Sequence, residues 1–355
     1  MQPTAQTATP ADPRLSPSER DKVAFLSSPH NHPERPQNVG VIETHHAWVF
    51  LTDRHAWKMK KPFRHGRYDC SSLAARRHLC NEEYRLNLPL APLTYLGVLP
   101  LVVDDACELH IDGDGRPVEW LVKMQRLPED RMLDNAAPAR RIGHDDIEQL
   151  MGKLLNFYTS ARPCQADPHS YVSRLRRELA ETVRELYNPD FGFSSPQVDA
   201  LADYLGSYIE DQQELLESRQ HNQLVREVHG DLRPEHVCIL DGGDIEILDR
   251  LEFDPDLRCL DCVEELAYFG LECRAIGERW IETACREFYQ ARHHDDAPLH
   301  LWQFYAARRA MIRAMLSAWH TLDGDNRHRW LRRGRTYLSL AEDCLDGDDA
   351  VISRS

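Results

Sequence analysis

The chain changes character at Gln125-Arg126-Leu127-Pro128, and this switch constrains what it can fold into more than any other feature. Before it, short apolar runs at 39–42, 47–51, 56–59, 95–103, 108–111 and 118–124 have the composition and spacing of strands. A turn at Thr52-Asp53-Arg54-His55 and a hairpin turn at Asp112-Gly113-Asp114-Gly115 punctuate them; a short helix is predicted over 18–26 and another helix over 73–88. After it, the pattern turns helical, with helices predicted over 147–159, 171–187, 196–218, 264–276, 280–291, 298–320 and 327–345. No internal repeat is evident. Strands first and helices afterwards define an α+β chain.

A chain of 355 residues can bury two cores. The expected organisation is a disordered tail over 1–18, a small β-rich N-lobe over 19–127, a larger helical C-lobe over 128–345 and a frayed tail from 346 to 355.

One β-prone interruption lies within the helical half. His229-Gly230-Asp231-Leu232-Arg233-Pro234-Glu235-His236 opens a loop, the runs 237–240 and 245–248 flank the turn Asp241-Gly242-Gly243-Asp244, and Asp249 follows Asp231 by 18 residues. Phosphoryl transfer explains such spacing. One carboxylate orients and deprotonates an acceptor hydroxyl, a ligand five residues on holds metal from the same loop, and a second carboxylate links metal to nucleotide phosphates. Asp231 and Arg233 are therefore the catalytic candidates, and Asp249 and His236 the metal candidates. Taken alone, an ordinary hairpin with acidic ends fits the same residues.

That chemistry also requires a cation for the phosphates and a carboxylate to position it. Lys58, Lys60 and Lys61 follow the third β run, and Glu82 and Glu83 lie on the next helix. Lys58 and Glu83 are the preferred pair, with only one lysine expected to meet Glu83. Lys60 is the nearest rival because strand alternation sets it on the same face as Lys58. The loop Glu43-Thr44-His45-His46-Ala47 lies where a nucleotide-covering turn would fall, making Thr44 a further nucleotide-binding candidate, although a simple hairpin accounts for it equally. It lacks a Gly-x-Gly-x-x-Gly, and no Gly-x-x-x-x-Gly-Lys-Ser/Thr occurs in the chain. In this order the parts predict a two-lobed, protein-kinase-like fold with a nucleotide-binding N-lobe.

A net charge of −15 argues against general binding to nucleic acid or to anionic membranes and suits a cationic acceptor. There is no apolar run of 18 residues and no signal peptide, so a cytoplasmic location is expected. The ten cysteines then read as reduced thiols. Cys259-Leu260-Asp261-Cys262 lacks a second Cys-x-x-Cys, and the pairs His30/His32, His45/His46 and His293/His294 are too scattered to define a metal site.

At Ile42-Glu43-Thr44-His45, Trp57-Lys58-Met59-Lys60-Lys61-Pro62, Glu83-Tyr84-Arg85-Leu86-Asn87, Val122-Lys123-Met124-Gln125-Arg126-Leu127-Pro128, the His229 to His236 loop and Leu248-Asp249-Arg250-Leu251-Glu252-Phe253, the chain resembles the aminoglycoside phosphotransferase-like kinases. The resemblance is to the bacterial branch often found fused to a P-loop ATPase domain, and it covers roughly 39–316. It implies Lys58 on the phosphates of ATP or GTP, Glu83 as its partner, Asp231 as base and Asp249 as ligand of Mg²⁺ or Mn²⁺. It also implies phosphorylation of a small-molecule hydroxyl, aminoglycoside-like acceptors being one class, with the ATPase half expected on a separate partner. His236 departs from the Asn of many members; a weaker metal site, or one completed by Glu235 or Glu252, would follow. A nucleotide-binding pseudokinase with a regulatory or scaffold role is the alternative reading.

Overall fold

The computed structural model describes residues 17–65, 68–164, 168–293, 295–321 and 326–345; of the two expected tails, only Pro17 and Ser18 lie among them. The chain divides into two compact units. The first comprises the described residues up to Pro128 together with Glu246–Asp254, and the second comprises Glu129–Ile245 and the residues from Pro255 onward.

In the first unit, α1 (Glu19–Leu26) begins at Ser18, whose hydroxyl accepts from the Asp21 N–H while the Asp21 carboxylate takes the Ser18 N–H. This reciprocal cap satisfies two donors that a helix start leaves open. Then follow β1 (Gly40–Glu43), β2 (Ala47–Leu51), β3 (His55–Lys60), the short β4 (Arg64–His65) and β5 (Tyr68–Asp69), α2 (Leu73–Asn87), β6 (Tyr95–Val103), β7 (Leu109–Ile111) and β8 (Arg116–Gln125). Six strands form one sheet in the order β1-β2-β3-β8-β6-β7, each neighbour antiparallel. Alternation sends Phe50, Trp57, Met59, Leu101, Val103 and Leu121 into a core closed by Leu26 of α1. Glu119 is buried with them, and Lys22 at 2.8 Å and Arg76 at 2.7 Å answer its charge.

The turn at Asp112-Gly113-Asp114-Gly115 does not make the expected hairpin, because β7 and β8 lie on opposite sides of β6. The segment steps across β6. A Cβ on Gly115 would stand 2.7 Å from the Val103 carbonyl oxygen, so only glycine permits the crossing. Turn residues in a sequence mark where a chain reverses and leave open which strand it joins.

The second unit is mainly helical. Its elements are α3 (Leu133–Ala136), α4 (His144–Ser160), α5 (Pro168–Leu186), α6 (Ser195–Asp211), α7 (Gln213–His221), β9 (Val225–Glu227), β10 (Val237–Ile239), α8 (Pro255–Arg258), β12 (Cys259–Asp261), α9 (Cys262–Ala275), α10 (Arg279–Arg292), α11 (Leu299–Trp319) and α12 (Arg327–Leu345). β11 (Ile245–Ile247) carries the chain back into the first unit. β9 pairs antiparallel with β12, and α9 is buried from Cys262 to Cys273. The α+β class and the strands-then-helices order are as expected. The helix expected over 196–218 is two helices, because Gln212 (φ −108°, ψ 24°) leaves the helical range without a glycine or proline to mark the break.

Cys164 and Cys259 form a disulfide, with Cα atoms 5.9 Å apart, which corrects the expectation of ten reduced thiols. The bond lies where β9 receives its partners: the Cys164 N–H donates to the Val225 carbonyl, and Cys259 opens β12 opposite Glu227. Two cysteines 95 residues apart leave no spacing signal, so composition alone could not pair them.

Candidate active site

Two clusters of candidate residues form, one within each unit. In the first, β3 presents Lys58 and Lys60 on the same face toward α2, as strand periodicity requires. Lys58 Nζ lies 2.9 Å from Glu83 Oε1 and 2.7 Å from Asp249 Oδ1. Lys60 Nζ lies 2.6 Å from Glu83 Oε2 and 2.5 Å from Glu252 Oε1. Both lysines therefore meet Glu83, where one was expected. The result is a row of alternating charge, Asp249–Lys58–Glu83–Lys60–Glu252. Burial alone would raise the Glu83 pKa, but Lys58 and Lys60 outweigh it and hold the carboxyl below its usual value. Glu82 turns to the surface and pairs with Arg85. Lys61 pairs with Glu43.

Asp249 sits at φ 61°, a left-handed backbone that costs a non-glycine residue energy and persists only where its surroundings impose it. They do. The Asp249 N–H donates to the Tyr95 hydroxyl (3.2 Å), and the Arg250 N–H donates to Asn87 Oδ1 (2.8 Å) at the end of α2. Upstream, Ile247 N–H reaches the Leu90 carbonyl, and Glu246 accepts from the Thr94 hydroxyl (2.7 Å) and the Leu93 N–H (3.0 Å). The acidic segment is thus clamped to the residues that follow α2. Thr44 lies in the turn between β1 and β2; its hydroxyl donates to the Ala47 carbonyl and accepts from the Ala47 N–H, closing that turn.

In the second unit, Asp231 is held from several sides. Its Oδ1 accepts from the Tyr268 hydroxyl at 2.9 Å and its Oδ2 from Arg233 Nε at 3.1 Å, while its N–H donates to His229 Nδ1 at 3.3 Å. Burial would raise the Asp231 pKa, yet Arg233 above all keeps it well below the usual carboxylate range. Gly230 (φ 90°) donates its N–H to Glu265 Oε1 at 2.7 Å, and Tyr158 donates to the other Glu265 oxygen at 2.7 Å. Helix α9 therefore anchors the loop through Glu265 and Tyr268, three residues apart on one face.

His236 has both ring nitrogens engaged within that loop. Nδ1 lies 2.9 Å from the Asp231 carbonyl, which can only accept, and Nε2 lies 3.1 Å from Arg233 Nη2, which can only donate. The ring is therefore the Nδ1–H tautomer in this arrangement. Arg233 completes its own set with Glu235 Oε1 at 2.5 Å. Sequence reasoning did not anticipate Tyr95, Glu265 or Tyr268, since each acts through a partner distant in sequence. The turn before β11 closes as expected, with Leu240 N–H to the Asp244 carbonyl at 2.8 Å.

No family model matches the chain. Over 278 residues it is 27% identical to an uncharacterized protein of Mycobacterium tuberculosis (strain ATCC 25618 / H37Rv), covering 78% of this chain and 54% of the relative. An uncharacterized protein of Mycobacterium bovis (strain ATCC BAA-935 / AF2122/97) matches with the same figures. The chain spans about half the length of the curated relatives it matches. In structure it is similar to an aminoglycoside phosphotransferase of Streptomyces rimosus in complex with ADP and streptomycin (18% identity, TM-score 0.46, 82% of this chain and 98% of that one). It is similar also to a choline/ethanolamine kinase family protein of Mesorhizobium loti (10% identity, TM-score 0.46, 92% and 96%).

Proposed function

We propose that the protein is a phosphotransferase that moves the terminal phosphate of ATP, or of GTP, to a hydroxyl of a small molecule. The observation that carries this reading is Lys58 Nζ held between buried Glu83 and the left-handed Asp249, at 2.9 and 2.7 Å. A lysine oriented by one carboxylate and facing a second is the equipment that nucleotide phosphates and their metal demand. In this role Lys58 exchanges Asp249 for phosphate oxygens and stays on Glu83. The donor chemistry fits Mg²⁺ or Mn²⁺ at Asp249, whose side chain is 46% exposed and offers the oxygen ligands these ions prefer. Such an ion supplies charge neutralisation on the phosphates. Glu252 is largely buried on Lys60, whereas Asp249 is half-exposed, and we assign the metal to Asp249.

Asp231, kept ionised, accepts a hydrogen bond from the acceptor hydroxyl and takes its proton as the new P–O bond forms. Tyr268 and Arg233 fix the carboxylate for that task. Calorimetry with Mg²⁺–ATP and transfer of radiolabelled phosphate to a panel of hydroxyl compounds test the reading. Asp249→Ala should abolish metal-dependent binding, whereas Asp231→Ala should bind nucleotide nearly as wild type and lose transfer. Nucleotide binding without transfer to any acceptor would refute it.

A further inference from the structure

The charged groups around Asp231 are unevenly engaged. Glu235 answers Arg233, and Glu272 is taken at both oxygens, by Arg313 Nε at 3.0 Å and by the Tyr337 hydroxyl at 2.9 Å. Arg313 makes no hydrogen bond through Nη1 or Nη2 among the described residues, although its side chain is only 13% exposed. Arg333 of α12 makes one hydrogen bond, Nη2 to the Tyr337 hydroxyl at 3.3 Å, and forms no ion pair among the described residues. Both guanidinium groups lie over the Tyr337 ring, at 5.4 and 5.7 Å from its centre. Of the two, only Arg313 reaches a carboxylate among the described residues, Glu272, and Tyr337 links that carboxylate to Arg333.

The place of these two guanidinium groups matters. Arg309, one turn before Arg313 on α11, covers the ring of Tyr268 at 5.2 Å, and Tyr268 is the residue whose hydroxyl holds Asp231. On α9, Tyr268 and Glu272 are likewise one turn apart, so Arg313 on Glu272 stands one helical turn from the Asp231 contact. Arg313 is close enough for its charge to help depress the Asp231 pKa. A planar guanidinium with unengaged N–H groups in a largely desolvated setting pairs with oxyanions in a two-pronged geometry.

We infer that Arg313 and Arg333 form an oxyanion-binding site beside Asp231, and that the acceptor is a hydroxyl compound bearing a carboxylate or a phosphate. This replaces the cationic acceptor suggested by net charge, and it rests on reading Asp231 as the acceptor-binding aspartate. The test compares glycerate, glycerol 3-phosphate, glycerol and ethanolamine as acceptors, and separately measures inorganic phosphate binding by calorimetry. Glycerate or glycerol 3-phosphate should be preferred, and which of the two prevails tells carboxylate from phosphate. Arg333→Gln, which removes one bond to a tyrosine hydroxyl and the ring contacts with Trp330 and Tyr337, and Arg313→Lys, which keeps a charge on Glu272, should each raise KM for the anionic acceptor about tenfold more than for glycerol. Both should weaken phosphate binding by a similar factor. Preference for ethanolamine, or phosphate binding untouched by both substitutions, overturns the inference. Absence of transfer to every acceptor defeats the phosphotransferase reading instead, and phosphate binding then still decides whether the arginines hold an oxyanion.

Discussion

Lys58 and Lys60 share a face and a carboxylate, yet their surroundings give them different tasks. The side chain of Lys60 is 2% exposed and bridges two carboxylates, so removing it takes the lysine from Glu252 and leaves buried Glu83 with Lys58 alone. Lys60→Ala should therefore cost about 3–5 kcal/mol of stability, the range for breaking a buried pair. Lys58→Ala leaves Glu83 its other partner and should chiefly weaken nucleotide binding. Urea midpoints for the two variants, with ATP binding for each that remains folded, check the division; equal midpoints would defeat it. Glu34 supplies a pH signature in the same unit. Burial works against its ionisation, but hydrogen bonds from Thr52 (2.7 Å) and His55 (2.9 Å) prevail and hold its pKa at about 2. Because the folded value lies below the ordinary 4.5, the stabilisation is present above that pH and is lost as pH falls toward 2. Glu34→Gln should lose about 1–2 kcal/mol at neutral pH and flatten that part of the acid unfolding curve, measured by thermal melts across pH.

At the scale of elements, the disulfide gives the clearest expectation. It closes a 95-residue separation and ties the segment after α4 to the start of β12. Reduction, or Cys164→Ser, should destabilise the second unit by about 2–4 kcal/mol, visible as a lower Tm in reductant; an unchanged Tm would show the staple to be idle. The elements also show what a sequence carries. Long amphipathic helices such as α4 and the alternating β3 were readable because burial imposes a period on them. β9 and β12, three residues each, are too short to display one. In the two candidate clusters, Lys58, Glu83, Asp231 and Asp249 stood out because their chemistry demands particular residue types at particular spacings. Tyr95, Glu265 and Tyr268 did not, because the role of each depends on a partner brought near by the fold. His236 was legible as a departure, but its engagement by Arg233 and the Asp231 carbonyl arises only from how the loop folds.

For the whole molecule, the first unit is discontinuous. Its residues up to Pro128 lack Asp249 and Glu252, which arrive with Glu246–Asp254. A fragment ending at Pro128 keeps Lys58 and Lys60 against the single carboxylate of Glu83 and also loses Leu248 from the cluster of Cys80, Ala91, Tyr95 and Val122. Such a fragment should fail to show a cooperative thermal transition by circular dichroism, whereas the full chain should show one. A sharp transition in the fragment would mean that the acidic segment is dispensable to that core.

The same discontinuity sets a timetable. The pairs Lys58–Asp249 and Lys60–Glu252 join residues 191 and 192 positions apart. During synthesis, therefore, the sheet is complete long before its charge row can be. Until the ribosome releases the segment that follows β11, two lysines wait over one glutamate. The nascent chain carries an electrostatic debt in its first-made unit, and the last step of that unit's folding is closure of a very long loop, with the slow kinetics such distant contacts entail.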